Sequence, residues 1–427
     1  MNIQDIDHRL RFTPLMSTSI ILSASIITAK YSYDYIGVSA WLLLTGISLL
    51  LAFTSRKWAF SHSIALYICI FCLGCTLTAR QMDKSRSPIL YSTRTELPLL
   101  DKVKLNIGEQ RQAIESQMQD LHIAEQDLAV VAAMVLGDKS ALDKETKDSY
   151  SRSGASHILA VSGLHIGIIF QLFVILLGGK RHRRANICLS TTAVWMYVVF
   201  IGMPASAVRS AVMITCYGFV ELSYRRGSPI NTLAFAYVLM LMIDPLSLFD
   251  ISFQMSFLAV FSILLVFPPL VKLWQPAHTV TRWLWTLACV SLAAQIGTLP
   301  LITYYFGRIS CYSVFTSFIA IPAAMAILYL CAVMFAMGVL ATLPILHSLA
   351  LPALDIVARM LVTITQTANT AFQLTAMLPG ACIEDVHINL AQLLLIYFTL
   401  IMGYVLYKHT HKLWYALQLL DKVANWE

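Results

Sequence analysis

Charge is scarce in this chain. Only 12% of its 427 residues are Asp, Glu, Lys or Arg, against about 25% in soluble domains. That shortage excludes a soluble domain. With 58% hydrophobic residues and a mean hydropathy of +0.70, the composition describes a polytopic membrane protein. A disulfide framework is also missing. Of nine cysteines, Cys69, Cys72, Cys75, Cys188, Cys216, Cys289, Cys311 and Cys331 fall in apolar stretches, and only Cys382 has a loop-like context. Cys69, Cys72 and Cys75 recur every three residues. Thiolates are costly to desolvate and small residues favour close helix packing, so packing is preferred over a metal site. No cofactor or metal is expected. No glycine-rich phosphate loop is present, so no nucleotide-driven motor is read in this chain. Residues 1–13 mix acidic and basic groups, and the apolar run 14–29 is followed by two more spans. A signal anchor is expected, not a cleaved leader.

The apolar runs give the organisation. Three lie near 14–29, 36–54 and 59–79, each about 16–21 residues and long enough to cross at ~1.5 Å per residue. Residues 80–127 turn polar and read as a small extramembrane insert that leans on the bundle or the membrane. Residues 128–137 are apolar but too short to span. A special segment at 155–177 follows. Segments 186–201 and 205–223 are parted by the helix-breaking Gly202-Met203-Pro204. Later segments fall near 229–243, 248–267, 281–300, 310–322, 323–343, 350–378 and 389–407. Segment 350–378 carries Asp355, Arg359, Gln366, Asn369 and Gln373 and reads as an amphipathic or surface-lying helix. The expected fold is an all-α polytopic integral membrane protein, a helical bundle of roughly nine to eleven membrane segments with broken or re-entrant and amphipathic helices. The expected divisions are 1–79 for N-terminal helices, 80–127 for the insert, 128–407 for the principal membrane domain and 408–427 for a basic tail.

Lys and Arg in short loops set the orientation. Arg9 and Arg11, Arg56-Lys57, Lys180 to Arg184, Arg225-Arg226 and Lys408 to Lys412 all read as cytoplasmic. Both termini are then cytoplasmic. In a bacterium the protein is a multi-pass inner-membrane protein and residues 80–127 are periplasmic.

The most informative stretch is His157-Ile-Leu-Ala-Val-Ser-Gly-Leu-His-Ile-Gly167. Two imidazoles, a hydroxyl and two glycines stand where a plain span uses Leu and Val. Unpaired polar groups cost several kcal/mol in hydrocarbon, so the segment must be buried in protein or line a wet cavity. His157 and His165, eight residues apart, lie roughly 80° off one helical face. That is poor spacing for a zinc pair, for which four is preferred. They are read as hydrogen-bonded residues or as residues lining a path. Ser162-Gly163 between them suggests a helix break. Arg209, one turn into a span, must snorkel, pair or face water. Asp250 precedes an apolar run and suits a helix N-cap, while sharing a face with Gln254. Gln295 suits an interhelical hydrogen bond. Arg308, after Tyr304-Tyr-Phe-Gly, suits an interface anchor or a phosphate contact.

These residues carry a resemblance. Gly154 to Gly167 closely resembles the signature of the competence family of DNA-uptake channel proteins, ComEC/Rec2. Three further stretches match in order. Gly202 to Met213 is similar to the family's Arg-Ala segment, with Ser210 for the alanine. Asp244-Pro245 through Ser252-Phe-Gln-Met-Ser-Phe257 resembles its Asp-Pro and Phe-Gln-Leu-Ser element, with Met255 for Leu. Ala293 to Pro322 resembles its Gln, Thr-Leu-Pro, Tyr-Phe-Gly and Ile-Pro element, with Ser317 for Asn. The similarity covers about 130–325. Two features depart from the family pattern. The insert is too short for the complete oligonucleotide-binding barrel of longer members. The His-x-His-x-Asp-His cluster of their metallo-β-lactamase-like domain is represented only by His409-Thr-His411.

The resemblance implies a non-enzymatic channel that imports single-stranded DNA across the inner membrane during natural transformation. His157, Ser162, His165, Arg209, Asp250, Gln254, Gln295 and Arg308 line or shape its path. It further implies the lipid bilayer as surroundings, a cytoplasmic ATPase or helicase, a periplasmic DNA-binding protein and a separate nuclease as partners. Two rivals stay open: a transporter of another solute on the same fold, and a membrane-embedded hydrolase using His157 or His165 with Ser162.

Overall fold

The apolar runs become helices because hydrocarbon leaves backbone groups no other partner along a single segment. The computed structural model describes residues 14–86, 125–178, 183–223, 228–341 and 347–424. The insert expected at 80–127 lies largely outside them. The first three helices are α1 (Pro14–Ser32), α2 (Val38–Thr54) and α3 (Ala59–Arg86), the last two joined by a 3-10 turn at Ser55–Lys57. α3 runs well past residue 79, where the sequence turns polar. α1 packs tightly on α3. A Cβ on Gly74 would meet Ser25 Oγ at 2.0 Å, and the Cys75 thiol donates to the Ser25 carbonyl at 3.3 Å. Cys72 and Cys75 are buried, in keeping with the packing role expected of that triplet.

Beyond the insert come α4 (Glu125–Val135), α5 (Lys144–Ser153), α6 (Gly163–Leu176), α7 (Arg183–Phe200), α8 (Ala205–Leu222) and α9 (Pro229–Ile243). A 3-10 turn at Pro245–Phe249 leads into α10 (Ile251–Lys272), followed by α11 (Thr279–Phe306), α12 (Ser313–Ala341), α13 (His347–Met377) and α14 (Leu390–Ala424). A two-residue antiparallel ladder pairs β1 (Ile309–Ser310) with β2 (Cys382–Ile383), Ser310 opposite Cys382. Among the described residues, six stretches are long and apolar enough to cross a membrane: Val38–Lys57, Phe60–Lys84, Ile251–Lys272, Thr279–Phe306, Ser313–Gly338 and Leu390–Thr410. Shorter apolar helices, α4, α6 and α9 among them, complete an all-α polytopic membrane bundle. Its outer surface is greasy, as Leu42, Leu43, Phe53, Phe335, Leu395, Phe398 and Ile401 show.

One expectation is corrected and two are given detail. The segments 310–322 and 323–343 are one helix, α12, with Pro322 inside it. A membrane bundle tolerates such a proline because neighbouring groups take up the freed carbonyl. Segment 350–378 is one long helix, α13, with Pro352 inside it. α13 is amphipathic, burying Ala358, Leu361, Thr365, Ala368 and Phe372, and it runs antiparallel along α12. Residues 408–424, expected as a basic tail, continue α14 as helix.

α12 sits at the centre. One core cluster joins it to α4, α5, residues 155–159 and α13. A second joins it to α6, α7 and α8. A third core ties α1 to α8, α9 and α10.

Candidate functional site

The site is built on a span that is only half helix. α6 has 14 residues, about 21 Å at 1.5 Å per residue. The bilayer core is about 30 Å thick. The chain approaches through the non-helical stretch 154–162. Gly154 closes α5 with φ +85°, a left-handed conformation that favours glycine. Its missing Cβ also matters, because a methyl there would lie 2.5 Å from Ser313 Cβ on α12.

Neighbouring helices take up the irregular backbone. Ser206 Oγ on α8 donates to the Val161 carbonyl at 2.6 Å. Thr316 Oγ1 on α12 donates to the Ser153 carbonyl at 2.8 Å, and Ser310 Oγ donates to that of Arg152 at 3.0 Å. Gly163 lets α6 approach α8, since a Cβ there would stand 2.9 Å from Ser210 Oγ.

The two histidines have separate tasks and share no helix. His165 is the third residue of α6 and fully buried. Its Nδ1 accepts the Ser162 backbone N–H at 3.2 Å and lies 2.9 Å from Ser162 Oγ. It therefore reaches back to the N-cap as Glu or Gln does in a capping box. The neutral ring then carries its proton on Nε2, which has no hydrogen-bond partner. His157 Nδ1 donates to the Gly154 carbonyl at 3.0 Å. His157 itself is exposed. Ser156 and Gly163 are also exposed, and Ser162 is half-buried.

Arg209 lies one turn into α8 and is 2% exposed, which rules out snorkelling. Its guanidinium donates to Ser252 Oγ and to Ser256 Oγ at 3.2 Å and 3.3 Å. Nη1 lies 3.6 Å from Asp250 Oδ2. Asp250 also caps α10, accepting the Ser252 N–H at 3.1 Å. Pairing and capping are thus combined in one carboxylate. The result is a polar clamp between α8 and α10 beside the Val161–Gly163 break.

The remaining candidates do not join this cluster. Gln254 donates to the Leu248 carbonyl at 2.9 Å and accepts from Tyr305 Oη at 3.1 Å, which ties the 3-10 turn to α11. Gln295 is half-buried, and among the described residues it makes no hydrogen bond to a neighbouring helix. Interhelical bonds near it come from Ser262 Oγ to the Ala293 carbonyl at 2.6 Å and Tyr397 Oη to the Gly297 carbonyl at 2.9 Å. Gly297 lets α10 and α11 approach closely, since a Cβ there would stand 2.5 Å from Ser262 Cβ. Arg308 sits in an exposed ion pair with Asp148 at 3.8 Å, near Arg152 and Glu384, themselves 3.6 Å apart.

Sequence reading gave no role to the serines here: Ser206 satisfies the break, Ser252 and Ser256 the clamp, and Ser210 donates to the Ser206 carbonyl within α8. The i, i+4 spacing within each pair was the available signal. It also missed Asp127 of α4. This buried carboxylate accepts from Gln366 Nε2 and Asn369 Nδ2, both at 2.9 Å, while Tyr150 Oη donates to Asn369 Oδ1 at 2.6 Å. Among the described residues, no group of three His, Cys, Asp or Glu gathers closely enough to hold a metal.

The sequence profile described as competence protein matches residues 134–410. The chain belongs to the competence protein family. Within a competence chain the profile thus covers the break, the clamp and α9–α13. The family comparison extends to individual proteins. ComE operon protein 3 of Bacillus subtilis is 32% identical over 195 residues, 45% of this chain and 24% of that protein. Recombination protein 2 of Haemophilus influenzae is 23% identical over 228 residues, 50% of this chain and 28% of that protein. Uncharacterized protein YcaI of Escherichia coli is 25% identical over 207 residues, 45% of this chain and 27% of that protein. The matches span 24–28% of the length of these relatives. No solved structure matches the chain.

Proposed function

We propose that this competence-family chain forms the passage by which single-stranded DNA crosses the bacterial inner membrane during natural transformation. One observation carries the reading. The approach to α6 is irregular backbone inside the bundle, held by Ser206 and Thr316, with Ser156, His157 and Gly163 left open. Non-helical backbone at membrane depth is tolerated only inside protein or beside a water-filled cavity. A single strand needs such a polar wall to keep its phosphates solvated.

In this reading His157 and Ser162 line the path. His165, Arg209 and Asp250 shape it by fixing where α6 and α10 begin, and Gln254 fixes the turn at Leu248. Gln295 and Arg308 belong to its flank and its rim. The chain acts as a conduit without chemistry of its own. Ser162 and His165 touch as a nucleophile and its base would, but the contact is the helix cap, and no carboxylate orients Nε2.

The N- and C-termini are cytoplasmic, which sets the Asp250 end of the bundle on the periplasmic side. A cytoplasmic ATPase or helicase pulls the strand, a periplasmic DNA-binding protein delivers it, and a separate nuclease removes its complement. The test is a clean deletion in the host. Entry of fluorescently labelled DNA into the cytoplasm is expected to stop and to return with the intact gene. Uptake unchanged by the deletion rejects the conduit.

A further inference from the structure

α13 presents a polar face to the outside of the chain at the depth of the bilayer. Its level is fixed at both ends. The Cys311 N–H donates to the Ala381 carbonyl at 3.0 Å, and Tyr312 Oη donates to the Pro379 carbonyl at 3.2 Å. These bonds set Met377 beside Ser313. At the other end only residues 342–346 separate α12 from α13. α13 therefore lies alongside the apolar span Ser313–Gly338. Counted at 1.5 Å per residue, the midpoint of that span falls near residue 364 of α13, and Arg359 lies only about 8 Å from it.

The face turned away from α12 carries Asp355, Arg359, Thr363, Gln366, Thr367 and Thr370, all exposed, with Ile356 and Met360 exposed along one edge of its first two turns. Their spacings of four, four, three, one and three draw one continuous stripe, about 22 Å long. The threonine hydroxyls decide little, because each donates to a carbonyl one turn back at 2.7–2.8 Å. The charged pair decides more. Arg359 Nη2 lies 2.9 Å from Asp355 Oδ2, yet the two side chains remain 79% and 59% exposed. Ionisable residues within a membrane face a bundle interior or a water-filled cavity. α14 shows what contact with lipid looks like: Leu394, Leu395, Phe398, Ile401 and Val405 on its open side.

We infer that the outer face of α13 from Asp355 to Thr370 meets water, not lipid, across the bilayer and forms one wall of an aqueous passage. This wall is separate from the 154–163 stretch. It stands whether or not nucleic acid is the cargo.

Thr363→Cys, Thr367→Cys and Thr370→Cys, each in the full chain in native membranes, test it with a charged thiosulfonate reagent applied to vesicles of either orientation. Leu395→Cys on α14 is the lipid-facing control, and the unsubstituted chain sets the background of native thiols. The expected result is labelling at least tenfold faster at the stripe than at Leu395→Cys. Rates equal to the control overturn the inference. So does protection of all three positions together with disulfide-linked dimers under mild oxidation, which marks the stripe as a protein interface. Fast labelling in a host whose DNA uptake survives the deletion supports the aqueous wall and removes only the cargo assigned above.

Discussion

Two parts of this membrane protein use polar residues to opposite ends. In α1–α3 they are small and neutral. Thr45 Oγ1 lies 2.9 Å from Thr76 Oγ1, so one hydroxyl donates across the seam while the other donates to its own helix one turn back, and Gly74 admits Ser25 into the seam. Among the described residues no charge is buried there. In the seam of α6, α8 and α10 an arginine, a histidine and four serines hold a helix start in place. The difference lies in the backbone they serve. Regular helices satisfy their own amides, so side chains between them need only close the distance. A broken helix leaves carbonyls and amides that need partners from elsewhere, and strong donors gather around it.

That contrast orders the expected effects of substitution. Arg209→Ala strikes the seam hardest, because Ser252, Ser256 and Asp250 lose their shared donor. About 3 kcal/mol is expected, the lower end for orphaning a buried partner, since Asp250 stays half in solvent. The thermal midpoint of the detergent-purified chain reads it. A change no larger than that of a surface substitution breaks the comparison. Gly74→Ala in the neutral region should cost about 1–3 kcal/mol by overpacking. On a Ser25→Ala background most of that loss should disappear, since the clashing Oγ is gone. A coupling near zero in this double-mutant cycle means that α1 and α3 are not held by that contact.

His165 sharpens the contrast further. His165→Ala removes half of a cap and should cost about 1 kcal/mol. His165→Gln restores the reach of the capping box and should recover the stability. Should DNA uptake recover with it, the imidazole is needed only for its reach. Thr45→Val removes one neutral bridge between helices and should cost about 0.6 kcal/mol.

The smallest effect depends on pH and lies at α5, outside the spans, where the chain turns toward the break. Asp143 accepts the Thr146 N–H at 2.7 Å. Hydrogen bonds from Thr146, helped by the charge of Lys147, hold its carboxyl below its ordinary value. A carboxyl lowered by folding favours the native state above its unfolded pKa of about 3.9. That favour is lost as pH falls through the folded value. Asp143→Asn should therefore flatten the acid limb of a stability profile below about pH 4 and change little at neutral pH. An unaltered acid limb removes the cap from the account.

Much of the bundle is legible in the residues themselves. Gly202-Met203-Pro204 marks the turn between α7 and α8, where Gly202 and Met203 both adopt positive φ. The four ordered motifs place the break and the clamp. What escapes the sequence depends on neighbours. Pro322 reads as a boundary, and only the packing around α12 shows that the helix continues. The polar residues of α13 read as an amphipathic or surface-lying helix, and nothing local reveals that Pro379 and Ala381 return to the start of α12. Arg209 near a helix end reads as a candidate for snorkelling, and Ser252 and Ser256 on another helix decide otherwise. His165 reads as a hydrogen-bonded or a lining residue, and only the fold shows that its Nδ1 is taken by its own N-cap.

The ion pair between Arg183 and Glu221 joins the first turn of α7 to the last turn of α8. Both feet of that hairpin therefore stand on one face of the membrane, with Gly202 at the opposite face. By alternation along α9, α10 and α11, Asp244, Asp250 and Arg308 share Gly202's side. A single topology marker at Gly202 thus works as a compass: fixing its side also fixes that of Asp244, Asp250 and Arg308.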